Sequence, residues 1–169
     1  MNGQKALDLY ELYLGPADSQ ELPGSALLYP LRISDPGNAA HEVVRTVLNV
    51  DRKERSMTFA GSMPEGWSAQ LMRGSHDRLM AGASAAARQA RIVSTSAESS
   101  LAILISCIGR RLLMGQSVIG EVEAAAKALG PHYHKLGFYS YGEISPYSVT
   151  GRSILRNQTM TVMTLAEAA

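Results

Sequence analysis

LAILISCIGRR, residues 101–111, is the clearest structural signal in the chain. It begins with aliphatic residues, passes through Ser106 and the single cysteine, Cys107, and ends after Gly109 in two adjacent arginines. A short apolar run without alternation is typical of a strand covered on both faces, so we interpret residues 101–107 as a central strand. The turn through Gly109 presents backbone N–H groups, and the arginines add donors that match a carboxylate or phosphate. We therefore expect the end of this strand to border a ligand pocket.

The size and composition of the chain are those of one globular domain. A length of 169 residues suits a single core, and we expect residues 1–169 to form a single domain. Hydrophobic residues make up 46% of the chain and charged residues 18%, unlike the composition of a disordered protein. The net charge of +1 supplies no basic surface for a phosphate backbone, so we expect no nucleic-acid partner.

The sequence also indicates the cellular compartment in which the protein works. The most apolar stretch, around residues 101–108, is far shorter than the roughly 20 residues that a membrane-spanning helix needs. One cysteine cannot form an internal disulfide, and nothing in the chain demands an oxidising compartment. We therefore predict a cytoplasmic protein with no membrane span.

Residues 1–73 read as a short helix followed by strands. KALDLYELYL, residues 5–14, has helical spacing and is stopped by Gly15 and Pro16. The strand-like ALLYPLRI contains Pro30, which predicts an edge position because proline cannot donate to a ladder. Between residues 41 and 73 the apolar residues alternate, with turns at DRKER and PEG. This pattern predicts three antiparallel strands in a meander.

Residues 75–166 read as helices and strands in alternation. Ser75 is a plausible N-cap for an alanine-rich helix over 77–92, and a second helix begins at Ser117 and stops before Gly130. Strands are indicated at HKLGFYSYGEI and ILRNQTMTVMTL. The fold class predicted is α+β: a mixed, mainly antiparallel β-sheet with a three-strand meander and helices packed on it.

GFYSYGEI, residues 137–144, contains a carboxylate that needs a partner. Glu143 lies among glycines, aromatic residues and an isoleucine, where an ionised acid is costly unless a cation or several donors meet it. We predict that Arg110 and Glu143 come close together, either as a structural ion pair or as one wall of a polar pocket lined by Tyr139 and Tyr141. The alternative is that Arg110 pairs with another carboxylate of the protein.

Glycines in the same stretch indicate a close approach to the backbone. Gly137 and Gly142 lack a Cβ, so a ligand or another strand could lie against them.

Two further motifs could carry chemistry. Cys107 follows a strand and precedes arginines, surroundings that lower a thiol pKa and suit a nucleophile. Burial as a small apolar group is the interpretation that we favour. His132 and His134 could begin a metal or haem site, but no partner set of metal ligands accompanies them, and a solvated loop is the preferred interpretation. We predict no metal site.

The motifs SCIGRR (106–111), GFYSYGEI (137–144) and NQT (157–159), together with PEGW earlier in the chain, resemble the C-terminal domain of FIST proteins, a family of sensory proteins. The resemblance implies a small-ligand-binding sensory domain in intracellular signal transduction, with an anionic or zwitterionic ligand such as an amino acid, and no enzymatic activity. Some family members are associated with haem and nitric oxide sensing, so a haem-based sensor is one alternative. A cysteine-dependent acyl or amide enzyme using Cys107 is another. A third is a purely structural half-domain, stable only against an N-terminal partner, which an exposed apolar patch and self-association of the isolated chain would favour.

Residue by residue, the resemblance implies a set of ligand contacts: Cys107, Arg110, Tyr139, Tyr141, Glu143 and Asn157. The family often has a histidine immediately before the NQT-like motif, where this chain has Arg156, and this departure weakens the haem interpretation. FIST proteins normally carry an N-terminal FIST domain first, which we expect to lie outside this chain. The partners implied are that domain or a signalling protein such as a kinase.

Overall fold

The structure is a computed structural model that describes residues 3–91, 100–146 and 151–166. The chain divides into two compact units, Met1–Gly74 and Ser75–Ala169. Helices and strands occur in both units, which confirms the α+β class.

The N-terminal unit has helices first and strands after them. Its described elements are α1 (Ala6–Leu14), α2 (Pro16–Gln20), a 3₁₀ turn (Gly24–Leu28), β1 (Leu31–Asp35), β2 (Asn38–Arg45), β3 (Val47–Asp51), β4 (Ser56–Phe59) and β5 (Ser68–Leu71). As predicted, α1 ends where Gly15 takes a positive φ of 82°, which glycine adopts without steric cost, and Pro16 begins the next helix.

The first sheet of this unit has the order β2-β1-β5, and both pairs are antiparallel. The edge position predicted from Pro30 is therefore wrong, since β1 is the central strand. Pro30 lies just before β1, so its missing N–H removes no ladder bond, and its carbonyl accepts a hydrogen bond of 2.9 Å from the Met72 N–H.

All three alternating runs between residues 41 and 73 form strands, but the first run is divided. Thr46 separates β2 from β3, and β3 turns back to pair with β4. The DRKER turn is closed by the Asp51 carboxylate, which accepts from the N–H groups of Lys53 and Glu54 at 2.9 Å. The third run, β5, pairs with β1.

The C-terminal unit contains the LAILISCIGRR stretch, residues 101–111. Its described elements are α3 (His76–Ala90), β6 (Ser100–Cys107), α4 (Ile108–Met114), a 3₁₀ turn (Gly115–Ser117), α5 (Val118–Leu129), β7 (Tyr133–Ser140), β8 (Glu143–Ser145), β9 (Ile154–Arg156) and β10 (Met160–Ala166).

Local chemistry sets the ends of the long helices. Ser75 caps α3 by accepting the Arg78 N–H at 3.4 Å, as predicted, while the predicted helix end at Ile92 lies outside the described residues. The end of α5 before Gly130 is also confirmed. Ser117 makes no side-chain cap for α5, because the 3₁₀ turn runs directly into that helix.

The main sheet of this unit has the order β10-β6-β7. β6 is central, and it pairs parallel with β7 and antiparallel with β10. Since the other described strand pairs are all antiparallel, the predicted mixed, mainly antiparallel pairing is confirmed. One face packs on α3 and α5 through a buried cluster: Ala83, Ala87, Ala102, Leu104, Ala125, Leu129, Tyr133 and Met160. The small helix residues allow the helices to lie close to the sheet.

The expectation that β6 is covered on both faces is wrong for the described residues. Ala102 and Leu104 face the helices, whereas Leu101, Ile103 and Ile105 face away and are only partly buried. The apolar run specifies a central strand but does not specify a second covering layer.

Both glycines of the GFYSYGEI motif have another strand against them. A Cβ on Gly137 would lie 2.3 Å from the Leu104 carbonyl oxygen, and one on Gly142 would lie 3.2 Å from Leu155 Cδ1. Gly137 needs glycine because a backbone carbonyl occupies the space, whereas at Gly142 the neighbour is the end of a leucine side chain and the fit is only tight. No helix among the described residues is long and apolar enough to span a membrane.

Candidate functional site

The carboxyl ends of the two parallel strands β6 and β7 form the candidate site. Cys107 and Ser140 are paired in register at these ends, and the carboxyl edge of parallel strands is where open sheets bind ligands. The turn before β10 reaches the same place, because the Cys107 N–H donates to the Thr159 carbonyl at 3.0 Å. We call this region the strand-end site.

Arg110 is held by a buried acid on α5. Its guanidinium donates to the Glu121 carboxylate, and the two side chains are 5% and 0% exposed. It also donates to the carbonyls of Leu79 at 2.7 Å and Gln158 at 3.3 Å. The Ser106 hydroxyl donates to the other oxygen of Glu121 at 3.2 Å. Arg110 thus joins α3, α4, α5 and the turn before β10.

Of the two predicted arrangements of Arg110 and Glu143, the structural ion pair is therefore wrong. The guanidinium pairs with Glu121, which is the alternative in which another carboxylate of the protein takes this role. Glu121 was not predicted as the partner of Arg110, although its position in the sequence of α5 indicates a buried acid. It lies four residues before Ala125 and eight before Leu129 on the buried side of α5, and an acid on an apolar helix face requires a cation or donors.

Glu143 is buried by a different set of groups. It is 4% exposed, and its two carboxylate oxygens accept hydrogen bonds from the Ser140 hydroxyl at 2.5 Å and the Thr159 hydroxyl at 2.6 Å. Among the described residues it forms no ion pair, although Arg156 lies opposite it in the β8–β9 hairpin. A buried carboxylate met by two neutral hydroxyls retains the capacity to accept further donors.

Cys107 lies between these two charged centres. It is 4% exposed, and burial raises the pKa of its thiol. Hydrogen bonds from the Gly109 and Gln158 backbone oppose this rise, the negative charge of Glu143 adds to it, and the positive charge of Arg110 opposes it. Both charges act on one thiol, so Arg110 and Glu143 belong to one site without being paired.

The NQT turn supplies the third side of the site. Asn157 is 2% exposed and its amide Nδ2 donates to the Arg156 carbonyl at 3.1 Å. Gln158 takes a positive φ of 54°, which is uncommon for a residue with a side chain. The carbonyl of this same residue accepts the hydrogen bond from Arg110.

The two tyrosines of the motif have different surroundings. The Arg111 guanidinium lies 5.0 Å from the centre of the Tyr139 ring, a cation–π contact at the same strand ends. Tyr141 is 90% exposed, so it does not belong to the buried part of the site. The structure thus brings together Cys107, Arg110 and Glu143, with Asn157 in the adjoining turn, and leaves Tyr141 at the surface.

The histidines do not join this site. His134 is exposed and alternates with Tyr133 on β7, and His132 is exposed in the preceding turn. Within residues 3–91, 100–146 and 151–166, no group of three or more His, Cys, Asp or Glu could hold a metal ion.

The N-terminal unit contains a separate cleft of about 1190 Å³. Its walls come from α1, β1, β5 and the 63–67 loop, with the aromatic rings of Tyr10, Tyr13 and Trp67. Among the described residues that line it, Glu65 is the only acidic or basic one, so the cleft is mainly an aromatic and apolar surface.

Comparison with known proteins agrees with the motifs. The sequence model of the FIST C domain matches residues 6–146, a range that includes SCIGRR and GFYSYGEI and ends before NQT. No curated protein and no solved structure matches the chain. The resemblance stated from the motifs is confirmed by the family match.

Proposed function

The chain belongs to the FIST C domain family, a family of sensory domains, and on this basis we propose that it binds a small anionic or zwitterionic ligand, such as an amino acid, in intracellular signal transduction. The observation that carries the proposal is Glu143, a buried carboxylate that, within the described part of the chain, accepts hydrogen bonds from the hydroxyls of Ser140 and Thr159 at the ends of two parallel strands.

Glu143 suits the ammonium group of the ligand. A carboxylate has about four lone-pair positions, and the hydroxyls of Ser140 and Thr159 occupy two. An ammonium would add a charge-assisted hydrogen bond in a region of low dielectric constant, where such a bond is strong.

Arg111 suits the anionic end of the ligand. Arg110 is committed to Glu121 and to two carbonyls, whereas Arg111 is exposed and stacks on Tyr139. A stacked guanidinium keeps its N–H edge available for a carboxylate. We therefore assign Arg111 and Tyr139 to the anion and Arg110 to the support of the site.

The same environment supports binding in preference to catalysis. The raised pKa of Cys107 keeps its sulfur as a neutral thiol near pH 7, and the thiolate is the nucleophilic form. In this proposal the domain is not an enzyme and works in the cytoplasm. It passes ligand occupancy to a partner, such as an N-terminal FIST domain or a kinase, which requires the ligand to prefer one of two conformations.

Thermal unfolding of the chain with a panel of amino acids tests the proposal. We expect at least one amino acid to stabilise the fold, by ~2.7 kcal/mol at one hundred times its dissociation constant. For each hit, the matched carboxylic acid without the amine and the matched amine without the carboxylate should bind more weakly, because each keeps one of the two charged contacts. No stabilisation of a folded sample by any amino acid would contradict the proposal.

Single substitutions test which residue contacts the ammonium group of the ligand and which contacts its carboxylate. Glu143→Gln should abolish the preference for the amino acid over the acid without the amine, and Arg111→Ala should abolish the preference over the amine alone. Glu123→Gln changes an exposed acid on α5 and should leave binding unchanged. Equal loss of binding in Glu123→Gln would show that the ligand does not use the strand ends.

A further inference from the structure

The face of the β10-β6-β7 sheet that turns away from α3 and α5 is an ordered array of apolar side chains. The register places Leu165, Leu101 and His134 in one row, Met163, Ile103 and Leu136 in the next, and Thr161, Ile105 and Phe138 in the third. We call these nine positions the open face. They include seven apolar residues and no lysine, arginine, aspartate or glutamate.

The large side chains of the open face are accessible to solvent. Leu136 is 51% exposed, Phe138 56%, Met163 46% and Leu165 51%. Among the described residues of the C-terminal unit no helix packs on this face, in contrast to the other face of the same three strands. An apolar surface of this kind is comparable to the largest that monomeric proteins expose, and such surfaces are often functional.

The strand-end site and the β8–β9 hairpin border the open face at one end. The Thr161 hydroxyl donates to the Ser145 hydroxyl at 3.2 Å, so the hairpin lies next to the third row. Ile144 and Leu155 are paired on the hairpin and are 76% and 40% exposed. Both alternate with buried hairpin residues, so they lie on the side of the hairpin that faces away from the contact with Thr161 and do not belong to the open face.

We propose that the open face is a self-association surface and that its occupant is the open face of a second copy of this chain. The uncharged array offers nothing that would select a charged partner, and a flat apolar β-surface is complementary to another of the same kind. A two-fold axis near Ile103 would set each row against its equivalent, in the face-to-face packing that sheets adopt at about 10 Å.

The available area is sufficient for such a dimer. The seven apolar side chains present on the order of 500 Å² of apolar surface, within the range of the largest patches on monomers, which are often functional. Two such faces would bury about 1,000 Å² in total, roughly the lower bound for a biological interface.

Sedimentation measurements on the full chain over a range of concentrations test the proposal. We expect a reversible monomer–dimer equilibrium. Leu136→Glu and Phe138→Glu should weaken self-association roughly 100-fold or more, because each places an unpaired charge in the interface and the two-fold symmetry does so twice.

The matched control is Ile119→Glu on α5, a residue that is 61% exposed and lies outside the open face. It should leave the dissociation constant of the dimer unchanged. Circular dichroism and thermal melting establish that each variant is folded. Met163→Ser and Leu136→Ser, which introduce no charge, provide the same comparison if a glutamate variant does not fold.

Two results would overturn the proposal. A chain that stays monomeric at every concentration has no such interface. A dimer whose dissociation constant is unchanged in folded open-face variants is held elsewhere, for example through the exposed edges of β7 or β10.

Discussion

The two faces of the β10-β6-β7 sheet are built from the same three strands and both carry aliphatic side chains of β6, yet they have different environments. Ala102 and Leu104 are buried under α3 and α5, while their neighbours Ile103 and Ile105 on the opposite face are only partly buried. The difference comes from what packs on each face. Alternation along β6 cannot reveal it, because both sets of side chains are hydrophobic.

Each face also ends in its own polar cluster. On the helix side, the Ser106 hydroxyl donates a hydrogen bond to Glu121 of the buried Arg110–Glu121 pair. On the open side, Cys107 is paired in register with Ser140, and the Ser140 hydroxyl donates a hydrogen bond to Glu143. The covered end is a saturated ion pair, whereas the open end is a carboxylate held by neutral donors. This contrast favours a structural role for Arg110 and a binding role for Glu143.

The largest expected effect is at the covered end. Arg110→Ala or Glu121→Ala should each lower the free energy of unfolding by about 3–5 kcal/mol, because each leaves a buried charge without its partner. The double variant should lose clearly less than the sum of the two, since no charge is then left unpaired. Urea unfolding measures all three.

The control for this comparison is Arg88→Ala on α3, where the arginine is exposed and the change should stay within about 0.5 kcal/mol. Additive losses at Arg110 and Glu121 would mean that the two groups contribute independently.

The next largest effect is the loss of stability when a leucine is replaced by alanine on each face of the sheet in turn. Leu104→Ala removes a buried side chain from the covered face and should cost about 2–5 kcal/mol. Leu136→Ala removes one that is 51% exposed and should cost less than about 1 kcal/mol. Both are measured at concentrations where the chain is monomeric. Equal losses would show that the open face is covered in solution even in the monomer.

The smallest effect concerns Cys107 at the open end. Burial raises the pKa of this thiol above its ordinary value of 9.0, so the neutral form is favoured in the folded state. The resulting stabilisation is fully present below the ordinary value and is lost as the pH rises through the higher folded value. Between these values the wild-type chain should lose stability more steeply than Cys107→Ala. Urea unfolding across this pH range measures the difference, and parallel curves would contradict the burial of the thiol.

Much of the fold was predictable because local chemistry determines it. Gly15 and Gly130 end helices through backbone conformations that glycine adopts readily, and the Ser75 hydroxyl caps the first turn of α3. The edge position assigned from Pro30 was wrong because a proline next to a strand has the same sequence signal as one within it.

The candidate site was only partly predictable. The motifs identified Cys107, Arg110 and Glu143 as neighbours of one strand end, and the structure places them there. The partner of Arg110 was missed because the choice between Glu143 and Glu121 depends on which helix face lies over the strand end. Ser140 and Thr159 were missed because a hydroxyl has no distinctive sequence signal.

The sequence by itself determined the family, the α+β class, the ends of the helices and the central strand, since each depends on residues close together in the chain. Tertiary structure alone decided which carboxylate neutralises Arg110, which acid remains for a ligand and which sheet face stays open. These outcomes depend on groups far apart in the chain, such as Arg110 with Leu79 and Glu143 with Thr159, and only packing brings such groups within hydrogen-bond distance.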